Sequence, residues 1–254
     1  MTREILFVHG MFMTGRSWAA WRERFTARGY LCHAPDWPGR AGNPADLRAH
    51  PDPVLRELTL SGVIAQFESA ARACSQPPIV IGHSMGGLVV QSLLSRGVGS
   101  LGVAIDPAPP FGVRSFAFSH LRANAPVLWP SRAPIVPTVS SWKYAFWHTG
   151  SDDEVRRAFE AEVVPESRLV GKGPLGPEGK IDFTAKRSPL LMIAGELDTI
   201  IPASLVRKAA ARYDAADAPT EIAEFTGRTH YLCGQPGWEE VADRCLAFIE
   251  AKAG

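Results

Sequence analysis

The segment Gly82-His83-Ser84-Met85-Gly86 places one serine between two glycines, directly after the apolar Pro78-Ile79-Val80-Ile81. A serine hydroxyl is a weak nucleophile near neutral pH and reacts only when a neighbouring base takes its proton. The spacing G-x-S-x-G between a strand and a helix is that of a nucleophile elbow, a strained tight turn that lifts the serine out at the top of a sheet. Residues two before and two after the serine must be small for the turn to close, and Gly82 and Gly86 meet that need. A serine before a helix can also serve only as an N-cap. The strand-turn-helix setting favours the displayed nucleophile over the cap.

Three further groups would complete such a centre. The best base is His230 in "GRTHYLCG", just beyond the last expected strand. His9 belongs to another turn, His83 should point away from the nucleophile it adjoins, and His33 falls within a strand. His50, His120 and His148 fall in loops or in the long insertion described below. The base needs a buried carboxylate to fix its tautomer and stabilise the imidazolium. Asp198 in "AGELDTIIP" and Asp106 in "AIDPAP" both follow strands, with Glu196 a third choice. The chain order serine, acid, histidine favours Asp198. The oxyanion of acyl transfer calls for two backbone N–H groups, each worth about 3 kcal/mol of barrier. Met85, right after the nucleophile, supplies one, and Met11 in "HGMF", freed by Gly10, supplies the other. Thr14 is a candidate auxiliary hydroxyl donor.

These residues need a frame that gathers them. "EILFVHG", "YLCHAP", "PIVIGHS", "LGVAIDPAPP", "PLLMIAGELD" and "TEIAEFTG" read as strands, mostly apolar throughout. Between them lie amphipathic helices, one carrying Trp18, Trp21 and Phe25, another carrying Val63, Ile64, Phe67, Ala71 and Cys74. A helix "MGGLVVQSLLSRG" follows the serine, another covers about 203 to 213, and "GWEEVADRCLAFIEAK" closes the chain. Alternation of this kind predicts an α/β fold: a doubly wound, mostly parallel sheet of about six strands with helices on both faces. Ligands then bind at the carboxyl ends of the strands, where His9, Asp36, Ser84, Asp106, Asp198 and His230 all fall.

Residues 107–188 break the alternation. They are rich in Pro and aromatics and contain one clear helix, opened by a Ser151/Glu154 capping box and followed by Val155, Phe159 and Val163. The expected organisation is therefore a core of 1–106 and 189–254 with a mostly helical or irregular lid insertion over 107–188, a structural excursion being the bland alternative. Phe12 and Trp18 near the oxyanion turn, and Trp129 and Trp147 in the insertion, are the candidate substrate-contacting residues. The insertion's aromatics, Trp142 and Phe146 included, could equally be its own small core.

Composition narrows the class. At 254 residues, 46% hydrophobic and 21% charged, the chain is ordinary globular protein with a formal net charge of +1. That charge makes no case for nucleic acid or an anionic membrane as partner. No stretch reaches a membrane span, and "MTREILFVHGMF" lacks a secretory core, so a cytoplasmic location is expected. Cys32, Cys74, Cys233 and Cys245 are scattered and read as reduced thiols. The seven histidines show no metal-binding spacing. "GKGPLG" and "GVGSLG" spell G-x-G-x-x-G but lack the strand-then-helix context of a dinucleotide site and are expected to be loops.

Together "VHGMF", "DWPGRAG", "GHSMGG", "GELDTIIP" and the terminal "THY" resemble the α/β-hydrolase superfamily, over residues 4–106 and about 189–254. The resemblance, nearest a serine esterase or lipase-like branch with a lid, implies acylation of Ser84 and deacylation by water. It implies no cofactor and no metal. The triad and the aromatic insertion point to a small to medium, fairly apolar carboxylic ester or lactone as substrate, and the resemblance says nothing of oligomeric state. A serine nucleophile argues against the branches that use aspartate. Tyr231 stands where the related cyanogenic lyases carry lysine, which argues against that activity. C–C bond hydrolases, cofactor-free dioxygenases and perhydrolases share the triad, and the fold also serves non-catalytic small-molecule receptors.

Overall fold

The computed structural model describes residues 3–115, 117–213 and 218–252. Its centre is one six-stranded sheet, β1 (Glu4–Val8), β2 (Leu31–His33), β3 (Ile79–His83), β4 (Leu101–Ile105), β5 (Leu190–Gly195) and β6 (Thr220–Phe225). The strand order is β2-β1-β3-β4-β5-β6. Every pairing is parallel. β1, β3, β4 and β5 are buried along their whole length, as strands covered on both faces must be, whereas edge strand β6 alternates half-buried and exposed positions.

The period of two sorts side chains between two cores. Leu6 and Val8 pack with α3 (Leu60–Ala73), α4 (Met85–Ser95) and α9 (Ala203–Ala210), through Val63, Phe67, Leu88 and Leu205 among others. Ile5 and Phe7 pack on the opposite face with α1 (Ala19–Thr26) and α10 (Trp238–Ala251), through Trp21, Phe25, Val241 and Cys245. The expected first helix is split: Gly15–Trp18 form a 3-10 turn capped by Thr14, and α1 follows. The turn-rich "DWPGRAGNP" leads into a short α2 (Pro44–Ala49), which periodicity gave no sign of.

Between β4 and β5 the sequence pattern picked out one helix, at the Ser151 capping box. That helix is α7 (Asp152–Glu162), with both capping-box bonds formed. Among its described residues the connection holds three more α-helices, α5 (Phe118–Leu128), α6 (Val139–Phe146) and α8 (Arg168–Lys172). α5 carries an internal Pro126, which masked it, and α6 uses Thr138 with Ser141 rather than a glutamate for its capping box. "GKGPLG" is helical rather than a loop, spanning the end of α8 and a 3-10 turn. Trp142, Phe146, Trp147, Val155, Phe159 and Val163 of this connection form a third core with Met13 and Tyr231. No helix among the described residues is long and apolar enough to cross a membrane.

Candidate active site

The turn after β3 sets the geometry. Ser84 has φ +56, a left-handed conformation that costs any non-glycine residue. The surroundings hold it there: its N–H donates to Ile105 O at 2.8 Å, and its carbonyl accepts from Ala108 N at 2.9 Å. A Cβ on Gly82 would lie 2.3 Å from Gly86 O. One on Gly86 would lie 2.1 Å from Val8 O, so that glycine lets β1, rather than the turn itself, come close. Ser84 precedes α4 but makes no side-chain cap bond. Its hydroxyl faces His230 instead.

His230 Nε2 is 3.0 Å from Ser84 Oγ, and His230 Nδ1 is 2.6 Å from Asp198 Oδ2. An ionised carboxylate only accepts, so Nδ1 carries the proton and the Nε2 lone pair faces the serine hydroxyl. Burial holds the imidazole down to about 3, leaving it unprotonated near neutral pH. Asp198 sits in the turn after β5, where its other oxygen accepts from Ile200 N at 2.7 Å and Ile201 N at 2.8 Å.

Asp106 follows β4 and comes only within 4.0 Å of His230 Nδ1. One of its oxygens accepts from Gly195 N at 2.7 Å, while Oδ2 is buried without a partner. Burial, then repulsion from Asp198, pushes the Asp106 carboxyl well above its ordinary range. Burial pushes Asp198 up too, but the N–H groups of Ile201 and Ile200 oppose it. Of this acidic pair Asp106 therefore holds a proton the more readily, and Asp198 is the one better supported as a carboxylate. Glu196 is exposed and bonded to Gly227 N, away from the histidine.

His83 turns aside from Ser84 and braces His230: its Nε2 is 2.8 Å from His230 O, and the two rings lie 4.7 Å apart. Phe146 of α6 packs edge-on against the His230 ring at 5.0 Å. Asp36 accepts from Gly15 N at 2.6 Å and serves the turn before α1. His9 is buried, bonded to Gly10 O and Trp37 N, and stacked on Trp37.

Met11 and Met85 flank Ser84 on the wall of a cavity of about 560 Å³, within the roughly 300–1,000 Å³ usual for small-molecule sites. Met85 opens α4, so its N–H has no acceptor inside the helix. Thr14 is spent elsewhere, its hydroxyl accepting from Arg16 N as a cap. The cavity is mostly apolar, with Phe12, Val127, Ile135, Trp142 and Phe146 on its walls and His120 and Asn124 of α5 among its polar groups.

Of the four expected substrate contacts, only Phe12 lines this cavity. Trp18 is buried in the core against Phe7, at 5.0 Å between rings, because the turn before α1 faces under the sheet. Trp147 is enclosed in the third core against Tyr231, and Trp129, just past α5, is 68% exposed. Trp142 and Phe146 serve both purposes, core on one side and cavity wall on the other.

Two sets of described residues bring three ligating atoms within 4.8 Å. Glu4, His33 and Cys74 lie at the far end of β1, where Glu4 is held by His33 and Ser75. His83, Asp106 and His230 lie in the site itself, where both histidines already use nitrogens in the bonds above.

The alpha/beta hydrolase family model matches residues 5–244, and the chain belongs to that family. A monoacylglycerol lipase of Mycolicibacterium smegmatis is 28% identical over 89% of this chain and 80% of its own length. Among solved structures, a Paleococcus ferrophilus monoacylglycerol lipase superposes with a TM-score of 0.71 at 19% identity, covering 99% of this chain and 96% of that one. An Arabidopsis methylesterase superposes at 0.72 with 11% identity over 98% and 99% of the two chains. Tomato methylketone synthase I, complexed with 2-tridecanone, also reaches 0.72 at 15% identity over 99% of each. At such identities these structures share the fold.

Proposed function

We propose that this alpha/beta hydrolase cleaves carboxylic esters through an acyl-enzyme on Ser84, with His230 as general base, Asp198 as its orienting acid and the N–H groups of Met11 and Met85 as oxyanion donors. The observation that carries the reading is the relay Ser84 Oγ to His230 Nε2 at 3.0 Å and His230 Nδ1 to Asp198 at 2.6 Å, opening on an apolar cavity. Ser84 Oγ attacks the ester carbonyl as its proton passes to His230 Nε2. The carbonyl electron pair moves onto oxygen, facing Met11 and Met85. When the pair returns, the C–O bond breaks and the alcohol leaves with the proton from His230. Water then repeats the sequence, releasing the acid and restoring Ser84. Ionised Asp198 stabilises the imidazolium in both halves.

The β4–β5 connection acts as the lid that chooses the substrate, because Trp142, Phe146, Val127 and Ile135 come from it and line the cavity. The substrate is an ester or lactone with an apolar acyl or alkyl portion, in keeping with the esterases and lipases it is similar to. The test is a chain-length series of p-nitrophenyl esters and a lactone panel, assayed with wild type and Ser84→Ala. Turnover falling by several orders of magnitude in the variant is expected; equal rates would remove the reading.

A further inference from the structure

The oxyanion turn is held from outside the sheet. Phe12 has φ +66, the left-handed region a phenylalanine avoids. Both of its backbone polar groups are taken by the β4–β5 connection. Its N–H donates to Glu166 Oε2 at 3.2 Å, and its carbonyl accepts from Val164 N at 2.9 Å. Glu166 is itself fixed on every side. Arg40 Nη2 donates to the same Oε2 at 2.6 Å, Ser167 N donates to Oε1 at 2.5 Å, and its backbone pairs in both directions with Ile135. Arg40 also reaches Pro165 O. The side chains of Arg40 and Glu166 are both 0% exposed.

A buried ion pair carries a desolvation cost that a well-packed apolar pair avoids. Two apolar side chains could join the connection to the core, but they could not accept the Phe12 N–H. That bond fixes the plane of the Met11–Phe12 peptide. The Met11 N–H belongs to the adjoining plane and shares the Met11 Cα.

We propose that Glu166, held by Arg40, is a positioning residue for the oxyanion hole: it locks the Phe12 peptide and so aims the Met11 N–H at the reacting carbonyl oxygen. The proposal rests on the reading of Ser84 and Met11 given above. The substrate's ground state gains little from a correctly aimed donor and the tetrahedral state gains much, so loss of the clamp lowers kcat and leaves KM nearly unchanged.

The test compares three variants with wild type and Ser84→Ala, the rates of the serine-bearing proteins normalised to sites titrated with a fluorophosphonate and that of Ser84→Ala to protein concentration. Arg40→Met with Glu166→Met removes both charges and the acceptor. Glu166→Asp keeps the charge for Arg40 but draws the carboxylate back from Phe12 by one methylene, and serves should the double variant fail to fold. Arg40→Met with Glu166→Gln keeps an amide oxygen for Phe12. The first two are expected to lose about 10- to 100-fold in kcat, part of the scale for removing an oxyanion donor, with KM within about twofold. Affinity for a trifluoromethyl ketone, whose adduct bears the oxyanion, should fall in parallel, and the glutamine variant should recover most of the loss. Wild-type kcat per titrated site in both acceptor-deficient variants overturns the clamp while the esterase reading stands. A wild type that hydrolyses no ester, or a Ser84→Ala that matches it, removes that reading and the clamp with it.

Discussion

Replacing Asp198 by asparagine separates the two buried acids. Asp198 accepts three N–H bonds, from His230 Nδ1 at 2.6 Å on one oxygen and from Ile200 and Ile201 at 2.7 and 2.8 Å on the other. An asparagine has one acceptor and one donor end. If its oxygen stays with the two backbone N–H groups, its NH₂ faces His230 Nδ1 and forces that nitrogen to accept. The imidazole proton must then move to Nε2, which points at Ser84 and can no longer take the hydroxyl proton. The flipped amide would forfeit two backbone bonds instead, so the wrong-tautomer arrangement is favoured. The expected loss in kcat is about 10⁴-fold, the scale known for a triad aspartate changed to asparagine, or about 5.4 kcal/mol of barrier. Asp106→Asn replaces a carboxyl that burial and Asp198 push toward its neutral form, and its amide oxygen can still accept from Gly195 N. A loss below about tenfold, 1.4 kcal/mol, is expected there. Steady-state kcat on a soluble p-nitrophenyl ester, per titrated site, reads both variants. A larger loss in Asp106→Asn than in Asp198→Asn would refute the assignment of charge and role.

Burial holds His9 and His230 down to about 3 and His83 well below the usual histidine range. A histidine depressed on folding contributes stability that is full above the unfolded value near 6.5 and is lost as pH falls from there toward the folded value. His9 and His230 should each cost on the order of 1 kcal/mol by pH 5.5, with His83 acting in the same direction; denaturant melts at pH 7.5 and 5.5 should therefore show a marked acid loss, and a flat profile would contradict it. Gly86→Ala places a Cβ 2.1 Å from Val8 O and 2.7 Å from His9 O, so it should abolish soluble, active protein. Gly97→Ala meets nothing within 4 Å but has φ +70 and should cost only about 1 kcal/mol in a thermal melt. Trp129→Ala, at an exposed position off the cavity wall, should leave ester turnover and chain-length preference unchanged, whereas Trp142→Ala should alter that preference.

Much of the frame was legible because it depends on local rules. Apolar runs separated by 3.6-period helices announced all six strands and their parallel pairing, and strand ends then grouped Ser84, Asp106, Asp198 and His230. The choice between Asp198 and Asp106 rested on chain order alone, since both follow strands; a difference of 2.6 against 4.0 Å has no trace in spacing. The β4–β5 connection was read poorly because its short helices pack on one another and on the site, so their apolar residues follow tertiary neighbours rather than a period. Trp18 and Trp147 looked like pocket aromatics from their neighbourhood in the chain, yet both turn into core. The Arg40–Glu166 pair was invisible, joining residues 126 apart with no motif at either end.

The central claim, that Ser84 is the nucleophile, is tested most directly by intact-mass analysis after treatment with a fluorophosphonate. The account predicts one phosphonyl group per chain, located by peptide mapping on Ser84, with ester hydrolysis lost in proportion to labelling. It also predicts neither label nor hydrolysis in Ser84→Ala. Labelling at another residue, or hydrolysis that survives complete modification of Ser84, would contradict it.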